Sequence, residues 1–78
     1  MIYVTHASYY GDYKLHIQFS DTREGVVDLH DLVYTDHRPI VRELQNISLF
    51  KDFHIQMDTI VWKNGLDLAP EFLWERMQ

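Results

Sequence analysis

Histidine and carboxylate side chains are the groups in this sequence that could do chemistry, because they bind metal ions and transfer protons. The 78-residue chain contains five histidines and twelve acidic residues. A zinc ion needs three or four ligands that converge on one point, yet no two histidines show the spacing His-x-x-x-His. The strand pattern described below places His6 on an apolar face and His16 on the opposite face. We therefore expect no metal site.

Paired carboxylates could serve as a general acid and a general base if burial separated their pKa values. Asp28, Asp31 and Asp36 lie near one predicted loop. Glu71 and Glu75 lie one helical turn apart, but nothing in the sequence predicts that these carboxylates are buried. No serine lies in a Gly-x-Ser-x-Gly motif, and the three glycines are isolated rather than grouped in a phosphate-binding loop. We expect no catalytic residue, no cofactor and no enzymatic activity.

The amino-acid composition limits the classes of protein to which this chain can belong. Seven basic against twelve acidic residues give a net charge of −5, which disfavours direct binding to nucleic acid. The N-terminus lacks the pattern of a signal peptide, and no apolar stretch approaches the ~18 residues that cross a bilayer. Without cysteine there are no disulfides or thiolate metal sites. These features predict one cytoplasmic domain over residues 1–78, with no membrane association and stabilised by buried aromatic side chains; a homodimer is the other route to stability.

The clearest element lies near the N-terminus. Tyr13 to Ser20 alternates between apolar and polar side chains, which predicts a half-buried strand. The preceding Gly11-Asp12 fits a two-residue hairpin turn with glycine first. The cross-strand pairs that follow from this turn are Tyr10 with Tyr13, Ser8 with Leu15, His6 with Ile17, and Val4 with Phe19.

The remaining elements follow from turn and helix signals. Residues 24–29 predict a third strand, and Pro39 suits the first position of a middle helix. Asp58-Thr59 and Asn64-Gly65 predict two tight hairpin turns, the second of type I′. Pro70 begins a C-terminal helix. The order βββαββα indicates an α+β fold with a small antiparallel sheet and a C-terminal helix packed on it.

The segment from residue 62 to residue 70 carries a family resemblance. It reads Trp-Lys-Asn-Gly-Leu-Asp-Leu-Ala-Pro and, together with residues 13–21 and 27–29, resembles the family known as domain of unknown function 2442 (DUF2442). The signature positions are Trp62, Asn64, Gly65, Asp67 and Pro70. Turn chemistry already explains them without a binding loop: Asn64-Gly65 form the hairpin turn, and Asp67 accepts nearby backbone N–H groups.

The resemblance implies a compact α+β fold of bacterial or phage origin with no agreed activity. Some members of the family are joined to a helix-turn-helix DNA-binding domain. Others stand alone beside a second small protein, in an arrangement like that of a toxin and its antitoxin. This sequence departs from the pattern in two ways. The turn after Asp21 lacks the usual glycine, and no DNA-binding domain follows before Gln78.

Aromatic side chains on polar faces are the best candidates for binding a partner, because such residues are enriched at protein interfaces. Tyr3, Tyr9 and His16 share the polar face of the predicted first hairpin, and Phe72 lies on the outer side of the last helix. The alternative is that another segment covers them. We expect a small non-catalytic protein-interaction or regulatory module, such as the antitoxin-like or accessory half of a two-protein unit.

Two other functions stay open. One is a sensory or regulatory module that acts with a separate DNA-binding protein. The other is an acidic inhibitor that occupies a partner's nucleic-acid site through Asp28, Asp31 and Asp36.

Overall fold

Two three-stranded antiparallel sheets and a layer of short helices make up the fold. The computed structural model describes residues 1–78. The first sheet has the order β1-β2-β3 and the second the order β4-β5-β6. The strands are β1 (Val4–Gly11), β2 (Lys14–Phe19), β3 (Glu24–Asp28), β4 (Phe53–Gln56), β5 (Thr59–Trp62) and β6 (Asp67–Leu68). The helices are α1 (His30–Thr35), α2 (Pro39–Arg42), α3 (Ile47–Lys51) and α4 (Pro70–Arg76), with a 3-10 turn at Glu43–Gln45.

The predicted α+β architecture is confirmed, with two differences: the strands form two sheets rather than one, and the middle of the chain holds more than one helix. A single helix was expected there, but three short helices and a 3-10 turn cross between the sheets. Pro39 does begin a helix, as predicted. The side chain of Asn46 accepts a hydrogen bond from the Ser48 amide at 3.0 Å, which caps α3. None of the helices combines the length and the apolar character needed to span a membrane.

One apolar core joins both sheets to the helices. It contains fifteen buried side chains, and Leu15, Ile17 and Phe19 of the alternating strand belong to it as predicted. Trp62 and Phe50 are the largest fully buried side chains. The Trp62 Nε1 group donates a hydrogen bond to the Phe50 carbonyl at 2.8 Å. This bond satisfies a polar group that burial would otherwise leave unpaired.

The predicted register of the first hairpin is wrong for three of its four pairs. The turn is formed by Asp12 and Tyr13, with φ angles of 51° and 62°. Of the predicted pairs, Val4 with Phe19 is confirmed, but the register shifts between Val4 and His6 and again between Tyr9 and Gly11. Each shift gives β1 one more residue than β2. An extra residue exchanges the two faces of a strand.

This exchange corrects the positions of two candidate residues. Tyr9 is opposite Leu15 and packs against the core rather than lying on the solvent face. His6 is opposite Gln18 and exposed, so it is not a core residue. His6 and His16 therefore share the solvent face of the first sheet, contrary to the prediction. Nowhere in the chain do three or more His, Asp or Glu side chains come close enough to hold one ion.

The two turns of the second sheet each differ from the prediction by one residue: the first is shifted and the second is longer. Met57 and Asp58, with φ angles of 53° and 67°, form the first turn, and Thr59 is already in β5. Thr59 is buried, and its hydroxyl donates a hydrogen bond to the Leu68 carbonyl. A β-branched residue fits this extended strand position and tolerates positive φ poorly. The positive φ angles therefore fall on Met57 and Asp58.

The second turn is a three-residue loop rather than type I′. Gly65 has a φ of 93°, whereas Asn64 keeps negative φ. The Gly65 amide donates to the Trp62 carbonyl at 2.9 Å, and the Trp62 amide donates to the Leu66 carbonyl at 2.8 Å. This is the pattern of a hairpin loop with glycine in its left-handed position. As a result Asp67 is opposite Val61 instead of Trp62.

Asn64 performs the role that was predicted for Asp67. Its Oδ1 atom accepts a hydrogen bond from the Leu66 amide at 3.1 Å, and its Nδ2 atom donates to the Ile40 carbonyl at 3.0 Å. It therefore joins the loop to α2. Asp67 is exposed, and the nearby Leu66 amide is bound by Asn64 rather than by the Asp67 carboxylate. The prediction for Asp67 is wrong because the extra loop residue moves the turn-capping role to Asn64.

The C-terminal helix packs on the first sheet, as predicted. Pro70 is at its N-terminal turn, and Leu73 is fully buried. Trp74 Nε1 donates to Asp21 Oδ2 at 2.9 Å. After the helix, the backbone groups of Gln78 exchange two hydrogen bonds with those of Val26, so the chain covers the edge of β3.

Candidate functional site

The four residues predicted to bind a partner lie in separate places. Tyr3 is 39% exposed and lies just before β1. Tyr9 is half-buried, with its ring edge against Phe50 at a centroid distance of 6.0 Å. His16 lies on the solvent face of the first sheet, and its Nε2 atom is 3.5 Å from Glu24 Oε1. These three positions form no single surface.

Phe72, the fourth predicted residue, was expected to point away from the core. It is instead half-buried and packed against the core cluster. The guanidinium of Arg76 lies over its ring, 4.8 Å from the centroid. Phe72 and Leu73 are successive residues of α4, and both contact the core cluster. Phe72 is therefore less available to a partner than its helical position suggested.

The large apolar side chains that are exposed fall into two groups at opposite ends of β1. The Val4 amide donates to the Asp58 carbonyl at 2.9 Å, which brings the N-terminus next to the β4–β5 turn. The first group, the N-terminal end, consists of Met1, Tyr3, Ile55 and Met57. The second group consists of Tyr10, Tyr34 and Ile47. Eight extended residues separate the two groups by about 24 Å, in a molecule whose longest dimension is 32 Å.

Tyr34 belongs to an ordered cluster of three rings with Tyr13 and His30. We call these three residues, together with the nearby Tyr10, the tyrosine end. The His30 ring is stacked on Tyr34 with a centroid distance of 4.7 Å. Tyr13 meets Tyr34 edge to face at 5.6 Å and His30 at 5.6 Å. Tyr10 is 62% exposed and Tyr34 49% exposed, so ordered aromatic surface faces solvent here.

Tyr10 lies on the solvent face of the first sheet and does not contact the other three rings. Its ring is stacked over the imidazole of His16 at a centroid distance of 6.4 Å. Tyr10 therefore partly covers His16, which was predicted as a contact residue. The Asp12–Tyr13 turn connects this ring to those on α1.

Tyr13 anchors the tyrosine end. Its hydroxyl donates a hydrogen bond to the Gln45 carbonyl at 2.5 Å and lies 3.4 Å from the Tyr34 hydroxyl. The Gln45 side chain in turn donates to the Val33 carbonyl at 3.4 Å. The first hairpin, α1 and the 3-10 turn are thus linked through one phenol. The hydrogen bond with Tyr34, and then burial, raise the pKa of Tyr13 to about 12.

The backbone at this anchor is unusual. Bulky residues rarely adopt positive φ, and such residues occur often at functional sites. Tyr13 adopts a φ of 62° at the second turn position, where Asn or Gly would be expected. The ring contacts and the hydroxyl bond hold it there. The sequence predicts a turn at Gly11-Asp12. The turn lies one residue later, at Asp12-Tyr13, so the role of Tyr13 was not predicted.

An open depression of about 380 Å³ lies beside this anchor. Pro39, Arg42, Glu43 and Gln45 line it. Its lining contains charged and polar groups and no apolar side chain except proline. Glu43 Oε1 is held by Asn64 Nδ2 at 2.8 Å. Such a depression suits the polar rim of a protein interface better than a small-molecule pocket, which is mostly apolar.

The signature residues of the predicted family resemblance are structural. Trp62 and Asn64 join α2 and α3 to the second sheet through the hydrogen bonds described above. Gly65 supplies a left-handed turn position and Pro70 begins α4. None of these four residues lies at the tyrosine end.

Comparison with known proteins identifies the family and nothing closer. No curated protein and no solved structure gives a significant match. The sequence profile described as "Protein of unknown function (DUF2442)" matches residues 4–78. This range includes both sheets, all four helices and the signature segment from Trp62 to Pro70. The chain therefore belongs to the DUF2442 family.

Proposed function

We propose that this protein is a small non-catalytic interaction module that contacts a partner protein through the tyrosine end. The observation that carries the proposal is the exposure of ordered tyrosine rings: Tyr10 and Tyr34 are 62% and 49% exposed, yet both stack on histidine rings. The toxin–antitoxin-like gene arrangement implied for some family members makes an accessory or antitoxin-like half of a two-protein unit the best-supported biological role.

Tyrosine rings held in this way suit an interface. A tyrosine side chain has only two rotatable χ angles, so a large contact area is gained at a low cost in conformational entropy. The Tyr13 hydroxyl bond to Gln45 reduces this cost further by fixing the cluster before binding. The polar depression beside Gln45 would supply the rim around these anchors.

The N-terminal end is the competing surface. Met1 and Met57 are 96% and 88% exposed, and methionine adapts readily to varied partners. Neither methionine makes the ring contacts that order the tyrosine end. We therefore favour the tyrosine end for a specific partner and use the N-terminal end as the matched control.

Affinity capture of the tagged protein from its native cell, with and without nuclease, tests the proposal. We expect one stoichiometric protein that survives nuclease and is lost when Tyr10→Ala and Tyr34→Ala are combined. The control variant, with Tyr3→Ala and Met57→Ala, should retain it. Both variants remove exposed side chains only, so circular dichroism should show a wild-type fold.

The capture experiment has two contradicting outcomes. Equal capture by wild type and by the Tyr10/Tyr34 variant would reject the tyrosine end as the contact surface. Loss of every partner on nuclease treatment would instead favour a regulatory module that reaches DNA through a separate protein.

A further inference from the structure

We propose that the segment recognised by the tyrosine end is basic and carries arginine. This inference rests on the proposed function and names the chemistry of the partner's contact surface. It comes from the way in which this chain distributes its own cations over its aromatic rings.

Three aromatic rings elsewhere in the molecule already carry a cation. Arg23 lies 5.0 Å from the Trp74 ring, Lys51 5.3 Å from Tyr9 and Arg76 4.8 Å from Phe72. No such cation lies over the rings of Tyr10, Tyr13 or Tyr34. Tyr10 and Tyr34 are each stacked on a histidine, so it is the other, exposed face of each ring that can accept a cation from another molecule.

The charges around these rings favour a cation as well. Asp12 lies in the turn between the rings and is exposed, and the Asp31 side chain is 94% exposed. Asp28 ends β3 beside them and is opposite Lys14. Three carboxylates and one lysine therefore lie on the residues around these rings, and none of the carboxylates forms an ion pair with Lys14. Of the two arginines on this side of the chain, Arg38 is bound to Asp36 at 3.0 Å, and Arg42 lines the neighbouring depression together with Glu43.

Arginine fits this surface better than lysine. A guanidinium group is planar and less strongly hydrated than an ammonium group, so it stacks on a tyrosine ring while donating to a carboxylate. Tyr34 lies three residues after Asp31 on α1, which places a ring and a carboxylate on neighbouring positions of one helix face. One arginine could contact both.

The outer face of α4 provides an internal comparison. Glu71 and Glu75 are exposed there, one turn apart. The nearest aromatic ring, that of Phe72, is already covered by Arg76. A purely electrostatic attraction would bind a basic peptide at both faces, whereas recognition by tyrosine and carboxylate together would select the tyrosine end.

Nuclear magnetic resonance titrations with synthetic peptides test the inference on the full chain. The probes are an alternating Arg-Gly peptide, its Lys-Gly counterpart and a Glu-Gly peptide. We expect saturable amide shifts near Tyr10, Asp12, Asp31 and Tyr34 with the arginine peptide. Binding of the lysine peptide should be weaker and the glutamate peptide should not bind. Tyr34→Phe, which keeps the ring and removes only the hydroxyl, should preserve arginine binding, whereas Tyr34→Ala, which removes the ring, should weaken it about two- to fivefold.

Charge and surface variants complete the test. Combining Asp12→Asn with Asp31→Asn should weaken arginine binding, and Glu71→Gln with Glu75→Gln should not. Shifts that appear equally at Glu71 and Glu75, or no difference between arginine and lysine, would overturn the inference. If the captured partner requires Tyr10 and Tyr34 but ignores both aspartate changes and added salt, the basic-segment inference fails while the proposed function stands. If capture ignores the tyrosines, the proposed function itself fails.

Discussion

Tyr13 combines three properties that are rarely found in one residue. It has a positive φ angle, its hydroxyl crosses to a carbonyl 32 positions along the chain, and its pKa is raised to about 12. The hydroxyl bond to Gln45 and the ring contacts with His30, Tyr34 and Phe50 compensate for the strained backbone. A glycine in its place would relieve the backbone and lose the link between the first hairpin and the 3-10 turn.

Alkaline pH should reveal this link. Unfolded Tyr13 ionises near the ordinary value of 10.0, whereas the folded residue has a pKa of about 12. Its contribution to the free energy of unfolding is therefore complete below pH 10 and is lost as the pH rises towards 12, because the unfolded state releases the proton first. Urea denaturation at several alkaline pH values measures this decline.

Two variants isolate the contribution of Tyr13. Tyr13→Phe removes the phenol, so we expect a loss of about 1 kcal/mol at neutral pH and a flatter dependence on pH above 10. Tyr3→Phe, which changes an exposed tyrosine with no hydroxyl partner, should follow the wild type. Identical alkaline slopes in wild type and Tyr13→Phe would show that the phenol is not held as described.

At the scale of the elements, β1 marks the limit of what the sequence predicts. Alternation and turn residues predict β2, β3 and the helix starts at Pro39 and Pro70, and they place the hairpin turns to within one residue. The two extra residues in β1 leave no such signal, since Thr5, His6, Tyr9 and Tyr10 would fit either face. Whether Tyr9 contacts Phe50 or solvent depends on packing against the helices, which a local pattern does not contain.

The pairing of the C-terminal residues with β3 was also not predicted, although Gly25 in β3 makes it possible. A Cβ atom at Gly25 would lie 2.5 Å from the Gln78 carbonyl oxygen and 2.6 Å from Met77 Cγ. Because Gly25 has no side chain, the last two residues can approach the strand and cover its edge. Exposed strand edges otherwise promote association with other chains.

Replacing Gly25 should therefore detach this segment. We expect Gly25→Ala to lower the free energy of unfolding by about 1–3 kcal/mol, because the added methyl group overlaps the C-terminal residues. The matched control is the same substitution in a chain that ends at Arg76, where the cost should disappear. Denaturant unfolding of the four proteins measures this coupling, and an equal cost in both backgrounds would contradict the proposed close approach.

At the scale of the whole molecule, the two ends have different characters. The N-terminal end exposes flexible methionines, whereas the tyrosine end exposes rings fixed by stacking and by one phenol hydrogen bond. The signature residues Trp62 and Asn64 hold α3 and α2 on the second sheet. They therefore belong to the scaffold, and the tyrosine end is the surface that we propose for binding. The sequence did not predict this surface, because it is formed by residues of the first hairpin, α1 and the 3-10 turn that only the fold brings together.

The most direct test of this account is photo-crosslinking in the native cell. A benzophenone amino acid at position 47 replaces Ile47, which is exposed beside the tyrosine end and leaves its rings intact. The same amino acid in place of Met57 probes the N-terminal end. We predict one discrete crosslinked protein from position 47 and none from position 57. A discrete product from position 57 alone, or none from either position, would contradict the claim that the tyrosine end binds a partner protein.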